Sequence, residues 1–383
     1  MGNPFFMWQY RSLKRIDYSF VLIISLLMLI SLFVISTTTT DLGTSDPTFF
    51  TPLVKNQLKF FVFGWIAFIF CAGFDYRKAV QWAWFFYPII LILLVGLFFT
   101  ASIHNVHRWY RMPLIGIYIQ PSEYAKLIIV MCLSAVLERN THSRSSQPIL
   151  LLKVFFIIAL PFILILKQPD LGTASILFPL ALGICYFARF NEKILKVSMI
   201  IFTVILAFIF LVFTDVLSHD KMRPFFTKFL KEYQYERLNP HTYHNKMALT
   251  SIALGGVSGS GWHKSAYSSK KILPAGHTDS VFAVFAEEFG LLGIFILLSL
   301  FYLLLHKSFI VVRGTKDELG RLLASGITVY LTMHIIVNIA MMCGFLPISG
   351  VPLLLITYGG SSVVSTMAAL GVLQNIYIKR FMF

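Results

Sequence analysis

Long apolar stretches alternate with short polar connections along nearly the whole chain. Ten of these stretches come close to the ~20 residues that a helix needs to cross a bilayer. They cover residues 18–35, 60–74, 79–99, 122–137, 149–166, 172–187, 194–213, 280–305, 322–342 and 353–376. The pattern predicts an all-α, polytopic membrane protein of about ten transmembrane helices, with residues 1–383 forming a single integral membrane domain.

One polar segment, residues 215–278, is much longer than the other connections and joins predicted helices 7 and 8. Alternation of the spans puts it on the outer side, so we expect a long extracytoplasmic loop. It carries more Lys and Arg than Asp and Glu, which topology rules tolerate in loops of this length. A solvated loop and a basic surface for an anionic ligand both explain that excess.

Composition agrees with a lipid environment. Hydrophobic residues make up 57% and charged residues only 13% of the chain, whereas soluble domains carry about 25% charged residues. The formal net charge of +15 first suggests nucleic-acid binding. Because most Lys and Arg stand between apolar stretches, as topology signals do, we expect membrane lipid around the chain and no nucleic acid as partner.

Basic residues fall on alternate connections and on the N-terminal segment. The clusters are Arg77/Lys78, Arg139/Arg144/Lys153, Arg189/Lys193/Lys196, Lys307/Arg313/Lys316/Arg321 and Lys379/Arg380. Short cytoplasmic loops are rich in Lys and Arg, so we expect these connections and both termini in the cytoplasm. The remaining connections then lie outside.

Charged residues beside a span are costly and point to a function. The first such cluster holds Arg108 and Trp109, followed by Gln120, Glu123 and Lys126. Trp109 suits the membrane interface, and Arg108 beside it suits an anion site. Glu123 and Lys126 are three residues apart and share a helix face. An ion pair within the helix and a polar face turned to an internal cavity are both open.

The second cluster joins two apolar stretches and contains Lys167 and Asp170. Pro169 ends the first helix, and Asp170 is placed to cap the next one through its free N–H groups. Capping alone accounts for an Asp at this position. A place in a polar site on the outer face is the alternative.

The third cluster is His277-Thr278-Asp279, followed by a long apolar helix that carries Glu287. Asp279 sits where an N-cap is expected. Glu287 lies eight residues further, about 80° around the axis of an α-helix. Both carboxylates can therefore face one cavity at different depths, which capping does not explain.

Glycine and proline interrupt the last part of the chain, at residues 344–352 and 358–362. A break at membrane depth is tolerated only where protein or a watery cavity covers the freed backbone groups. A second glycine-rich stretch, residues 255–261, could offer backbone N–H groups to phosphate. Both segments therefore predict irregular backbone near a polar site.

These clusters, in this order, resemble the SEDS family, the RodA, FtsW and SpoVE proteins of bacterial shape, division and sporulation. The matching segments are Arg108-Trp109 with Gln120-Pro121-Ser122-Glu123 and Lys126, Gln168 to Thr173, Leu273-Pro274 with His277-Thr278-Asp279, Ala286 to Gly290, and Gly344 to Pro347 with Tyr358 to Ser362. Lys167, residues 259–262 and the Ala286-Glu287-Glu288 triplet favour the RodA type. His244, Ser280 and Leu354 depart from the family's usual Gln, aromatic residue and Pro.

The resemblance implies a peptidoglycan glycosyltransferase of the bacterial cytoplasmic (inner) membrane. It would polymerise lipid II, an isoprenoid diphosphate-linked disaccharide peptide, into glycan strands on the outer side during cell elongation and shape maintenance. Asp279 is then the expected general base of an inverting transfer, and Arg108, helped by a divalent cation (Mg²⁺ or Mn²⁺), would stabilise the departing diphosphate. The other expected substrate-binding residues are Trp109, Gln120, Glu123, Lys126, Lys167, Asp170, His277, Thr278 and Glu287.

A class B penicillin-binding protein and the elongation machinery are the partners that the resemblance implies. Two other functions stay open on the residues alone. A lipid II flippase also needs a polar cavity, broken helices and intramembrane charges, and a scaffold for another synthase would need no chemistry.

Overall fold

A computed structural model describes residues 13–38, 49–100, 107–112, 117–143, 147–214, 241–265 and 272–381, with short pieces between 216 and 239. Much of the predicted 215–278 loop, including Lys270 and Lys271, therefore lies outside the described residues. The helices are α1 Tyr18–Thr37, α2 Pro52–Gly73, α3 Tyr76–Gly96, α4 Pro121–Ser143, α5 Gln147–Lys167, α6 Leu171–Phe187, α7 Glu192–Phe213, α8 Tyr243–Gly255, α9 Val281–Gly314, α10 Glu318–Met342 and α11 Gly360–Lys379. Strands β1 Tyr110–Met112 and β2 Ile117–Ile119 pair antiparallel between α3 and α4.

The predicted polytopic all-α fold is confirmed. Among the described residues, eight helices are long and apolar enough to cross a membrane. The other two predicted spans are α6, a shorter apolar helix, and α4. α4 lies inside the bundle and carries buried Glu123 and Lys126. It is therefore more polar than a span that faces lipid. The last predicted span was placed too early, since the chain stays non-helical from 353 to 359 and α11 begins at Gly360.

Three ion pairs tie one end of the bundle together. They are Lys307 with Asp17 at 2.9 Å, Arg77 with Asp317 at 2.7 Å, and Lys379 with Asp75 at 2.8 Å. These pairs bring the start of α1, the α2–α3 and α9–α10 connections and the end of α11 to one face. The predicted alternation of connections requires this arrangement. The polar clusters of the sequence lie on the connections at the opposite face.

The glycine-rich stretch after α8 packs into a break in α9. Gly290 has a φ of +60°, a left-handed conformation that interrupts the helix. The N–H groups of Ser260 and Gly261 donate to the carbonyl oxygens of Glu287 and Glu288, at 2.9 and 3.0 Å. The stretch therefore repairs a helix break, and these N–H groups are not available to phosphate.

α8 lies along the first turns of α9, with the Ser251 hydroxyl donating to the Ala283 carbonyl at 3.2 Å. Gly290 is ten residues into α9, which corresponds to about 15 Å of helix, or about half of a bilayer's hydrocarbon core. The segment between α7 and α9 is thus not wholly a solvated loop, because α8 and the glycine-rich stretch pack against α9. Apolar periodicity alone did not identify α8 as buried structure.

Candidate functional site

The face of the bundle opposite the three ion pairs carries a non-helical segment, residues 343–359, which we term the broken segment. It packs between α9, α10 and the start of α6. At Gly172 of α6 a Cβ atom would lie 2.6 Å from the Ser349 carbonyl oxygen, so only glycine allows this approach. The polar residues predicted from the sequence lie around this segment in two groups, one near Asp170 and one near Asp279.

The first group centres on Asp170, which the structure buries. Its carboxylate caps α6 by accepting from the Thr173 N–H at 3.3 Å and the Thr173 hydroxyl at 2.9 Å. It also accepts from the Gln120 amide at 3.2 Å and the Ser122 hydroxyl at 3.4 Å. Arg108 Nη1 lies 3.6 Å from Asp170 Oδ1. The predicted cap is therefore confirmed, and the cap is also the centre of a polar cluster.

Arg108 is engaged on several sides in this cluster. Its Nε donates to the Gln168 carbonyl at 3.3 Å, and a terminal nitrogen donates to the Pro169 carbonyl. Trp109 beside it is half-buried, whereas Lys167 at the end of α5 is exposed. A role of Arg108 toward an anionic substrate must compete with these bonds, and the structure does not bury Lys167 with the others.

Glu123 and Lys126 form the predicted ion pair on α4, with 2.8 Å between Lys126 Nζ and Glu123 Oε1. Both side chains are almost completely buried. Lys126 Nζ also lies 2.8 Å from His334 Nε2 and 5.3 Å from the centre of the Tyr330 ring, both on α10. The pair is thus a link between two central helices rather than a feature of α4 alone.

Asp279 stands just before α9 and is half-buried. It is not the helix cap, because the N-cap position is Ser280 and that residue makes no side-chain capping bond. The Asp279 carbonyl accepts from the Asn338 amide at 3.2 Å. A Cβ atom on Gly350 would lie 3.4 Å from Asp279 Oδ2, so the carboxylate faces the broken segment.

His277 and Thr278 form the turn that leads into Asp279. The His277 carbonyl accepts from the Tyr358 N–H at 2.9 Å, and the two rings meet edge to face at 5.9 Å. Burial lowers the pKa of His277 below its usual value, so the ring is neutral near pH 7. The Thr278 hydroxyl donates to the Ala275 carbonyl at 3.3 Å, which stabilises the turn itself.

Glu287 lies deeper in α9 and is buried. Its Oε2 accepts from the hydroxyls of Ser251 and Ser265, each at 2.7 Å. These partners belong to α8 and to the chain that follows it. Glu287 therefore anchors α8 against α9. These contacts do not support the prediction that Glu287 and Asp279 face one cavity.

Two departures from the family pattern contact each other next to Asp279. His244 Nε2 lies 2.6 Å from the Ser280 hydroxyl oxygen, which also lies 2.9 Å from the Pro274 carbonyl. A small hydroxyl at 280 thus accompanies a histidine at 244. The sequence showed both changes but gave no sign that they are neighbours.

His334 and Asn338 on α10 were missed by the sequence analysis. Both are completely buried, and they stand four residues apart, so they share one face of the helix. The available signal was a pair of polar residues at helical spacing inside an apolar stretch. It was overlooked because neither residue carries a permanent charge.

A divalent cation was also expected at this site. Across the described residues, no group of three or more His, Cys, Asp and Glu side chains could hold a metal ion. Asp279 places a carboxylate beside Gly350 of the broken segment. Mg²⁺ often binds through one or two carboxylates together with substrate phosphates, so these residues fit a cation that arrives with a diphosphate.

Known proteins share the sequence pattern and the fold of this chain. A family model described as a cell cycle protein, FtsW/RodA/SpoVE, matches residues 15–381. The peptidoglycan glycosyltransferase MrdB of Escherichia coli strain K12 is 30% identical over 382 residues, covering 96% of this chain and 95% of MrdB.

Two solved structures share the fold. One is a chain from a peptidoglycan synthase complex that coordinates polymerization and crosslinking, with a TM-score of 0.73, 24% identity, and coverage of 96% of this chain and 99% of that one. The other is the rod shape determining protein RodA of Thermus thermophilus, with a TM-score of 0.67, 22% identity, and coverage of 96% and 98%. The chain belongs to the FtsW/RodA/SpoVE family.

Proposed function

We propose that this chain is a peptidoglycan glycosyltransferase that polymerises lipid II, with Asp279 as the general base. The reaction takes place at the outer side of the bacterial cytoplasmic membrane, with both termini in the cytoplasm, and serves cell elongation. The relative MrdB is named a peptidoglycan glycosyltransferase, and its similarity to this chain extends over nearly the full length of both.

The observation that carries the proposal is the placement of Asp279. Its carboxylate precedes α9 at the face opposite the three ion pairs, is half-buried, and faces Gly350 in the broken segment. A carboxylate in such a position is close to the headgroup level of the bilayer, where the sugar of a lipid-linked substrate lies. Asp170, in contrast, is buried, and its carboxylate accepts from Thr173, Gln120 and Ser122.

The chemistry is a single displacement. A sugar hydroxyl of one chain attacks the anomeric carbon of the other, the bond from that carbon to the diphosphate oxygen breaks, and the configuration inverts. Asp279 takes the proton of the attacking hydroxyl, a role that typically contributes about 10²–10⁴-fold. The diphosphate leaves with its bonding electrons and needs positive charge nearby.

Other residues support these two events. Arg108 lies near the outward surface and supplies positive charge to the diphosphate by exchanging its carbonyl bonds. Asp279 would hold a divalent cation that arrives with the diphosphate, and such a cation would supply further neutralisation. Trp109 packs against sugar or isoprenoid, and the Glu123–Lys126 pair keeps the centre of the bundle polar.

The proposed partner is a class B penicillin-binding protein of the elongation machinery, which would crosslink the strands that this chain makes. The synthase complex whose chain shares this fold is described as coordinating polymerization and crosslinking. That description belongs to the other protein, and it motivates testing the activity of this chain together with such a partner.

The test is Asp279→Asn in purified full-length protein, supplied with lipid II, Mg²⁺ and the partner in detergent. We expect glycan polymer to fall by at least about 100-fold while the melting temperature stays near that of the unaltered protein. Glu192→Gln is the control, because Glu192 is exposed and pairs only with Lys196 in the described contacts, at 3.4 Å. Normal polymer from folded Asp279→Asn protein would overturn the assignment.

The same assay separates the alternatives. A flippase makes no polymer in detergent, where there is no second leaflet to reach. A scaffold binds its partner whether or not Asp279 is present, and the partner alone makes the polymer. Polymer that depends on Asp279 in a complex of unchanged composition supports the enzyme against both.

A further inference from the structure

α10 presents two uncharged polar side chains to the interior of the bundle. His334 and Asn338 are both completely buried and lie one helical turn apart. Polar side chains within a membrane span are expensive unless they form hydrogen bonds. Their partners therefore indicate what these two residues are for.

Both residues bind consecutive carbonyl groups of the broken segment. His334 Nδ1 lies 3.2 Å from the Pro352 carbonyl oxygen, and the Asn338 amide donates to the Val351 carbonyl at 2.7 Å. Carbonyl groups in a non-helical segment at membrane depth need partners that a helix would otherwise supply. α10 thus holds the broken segment by two adjacent points.

The Asn338 amide nitrogen has a second acceptor, the Asp279 carbonyl, at 3.2 Å. One nitrogen therefore ties the backbone that carries the acid to the backbone of the broken segment. Gly350, next to Val351, is the residue that the Asp279 carboxylate faces. Asn338 consequently fixes both the backbone of Asp279 and the part of the broken segment that faces the Asp279 carboxylate.

The bond to Lys126 extends this link to α4. The Lys126 ammonium can only donate, so His334 Nε2 accepts at 2.8 Å and Nδ1 carries the proton that bonds Pro352. The ring is then neutral, since an imidazolium would face an ammonium. The Glu123–Lys126 ion pair thereby orients His334 toward the broken segment.

We propose that Asn338 is a positioning residue for Asp279, and that His334, oriented by Lys126, supports it through the broken segment. This inference rests on the proposed function, because it takes Asp279 as the base. The side-chain oxygen of Asn338 is buried and has no hydrogen-bond partner among the described residues. A leucine would fill the same space without that desolvation cost, so packing alone does not account for an amide here.

The test compares Asn338→Leu and Asn338→Thr with Thr332→Val in the full-length protein with its partner. Leucine removes both donated bonds, whereas threonine keeps one short donor. Thr332 is the matched control, because its hydroxyl bonds only the Thr328 carbonyl within α10, at 2.8 Å. Polymerisation rate is measured against lipid II concentration, and melting temperature is measured on the same samples.

We expect kcat to fall by about 100-fold in Asn338→Leu, the usual effect of misplacing a catalytic group by about 1 Å. KM should stay within about twofold, since Asn338 does not touch the substrate in this proposal. Asn338→Thr should lose less, and Thr332→Val should match the unaltered protein. If Asn338→Leu does not fold, an intermediate kcat in Asn338→Thr carries the same conclusion.

An unchanged kcat in a folded Asn338 variant, or a raised KM at unchanged kcat, would overturn the positioning role. Asp279→Asn is measured beside these variants. If Asp279→Asn is inactive while the Asn338 variants are normal, only the positioning role fails. If Asp279→Asn is fully active, the proposed function itself fails.

Discussion

Asp170 and Asp279 stand on the same face of the bundle, each just before a helix, yet their surroundings differ in kind. Asp170 is buried and accepts from Thr173, Gln120 and Ser122, with Arg108 at 3.6 Å. Asp279 is half-buried, does not cap its helix, and is held through its backbone carbonyl. The described bonds hold Asp170 through its carboxylate, whereas they hold the backbone of Asp279 through its carbonyl and place its carboxylate beside Gly350.

The difference separates a structural role from a chemical one. A carboxylate whose oxygens already accept from several donors has little hydrogen-bonding capacity left for a substrate. The Asp279 carboxylate is half-buried and faces Gly350, so it lies where a substrate beside the broken segment would reach it. We therefore expect changes at Asp170 to act on stability and changes around Asp279 to act on rate.

The largest effect that tests this comparison is on stability. Asp170→Ala removes the cap of α6 and leaves the largely buried Arg108 without its carboxylate, which should lower the free energy of unfolding by roughly 3–5 kcal/mol. Thermal unfolding in detergent measures this loss. Asp279→Asn should unfold close to the temperature of the unaltered protein.

Residual activity completes that experiment. Asp170→Ala protein that remains folded at low temperature should still polymerise lipid II, because the base is untouched. A folded Asp170→Ala protein with an unchanged melting temperature and no activity would show that Asp170 belongs to the chemistry, and the comparison would fail.

The sequence predicted the polytopic fold and drew attention to Asp279 for physical reasons. Apolar length alone marks a span, and a charged residue beside a span is costly enough to stand out. The cap at Asp170 was predictable because capping depends on neighbours along the chain. The start of α11 was placed wrongly because residues 353–356 are apolar but not helical.

What the sequence did not reveal depends on contacts between distant residues. Asn338 reaches Asp279 across 59 positions, and Lys126 reaches His334 across 208. The glycine-rich stretch was interpreted as a phosphate site because nothing local shows that its N–H groups pair with the broken turn of α9. Such pairings require the packed bundle.

An intermediate effect is expected from two glycines of the broken segment. Gly344 and Gly350 both have positive φ, at +77° and +84°, so an alanine at either costs roughly 1–2 kcal/mol. At Gly350 the added Cβ would lie 3.4 Å from the Asp279 carboxylate, whereas at Gly344 it would lie 3.3 Å from Leu249. The two substitutions are thus matched in backbone strain and differ in what they touch.

We expect Gly344→Ala and Gly350→Ala to lower the melting temperature by similar amounts, and only Gly350→Ala to lower kcat beyond that. The measurement is polymerisation rate at a temperature where both variants are fully folded. Equal rates in the two variants would mean that the backbone at Gly350, which faces Asp279, does not affect the rate of polymerisation.

The smallest effect concerns pH and His277, two residues before Asp279. Burial lowers the pKa of His277 in the folded protein, whereas the unfolded chain keeps a value of about 6.5. Below that pH the unfolded chain binds the proton more readily, so stability is complete above about pH 6.5 and declines as the pH falls toward the lowered pKa. Melting temperatures between about pH 7.5 and 5.5 should show this decline, and His277→Gln should flatten part of it.

His241→Gln is the control, because His241 is exposed and its removal should leave the decline unchanged. The same series sharpens the comparison of the two acids. If His277→Gln flattens the stability curve but leaves the acid side of the rate profile in place, the group that limits the rate is not His277, as expected for a base at Asp279. If the acid loss of rate disappears together with the histidine, the rate was limited by local unfolding around His277.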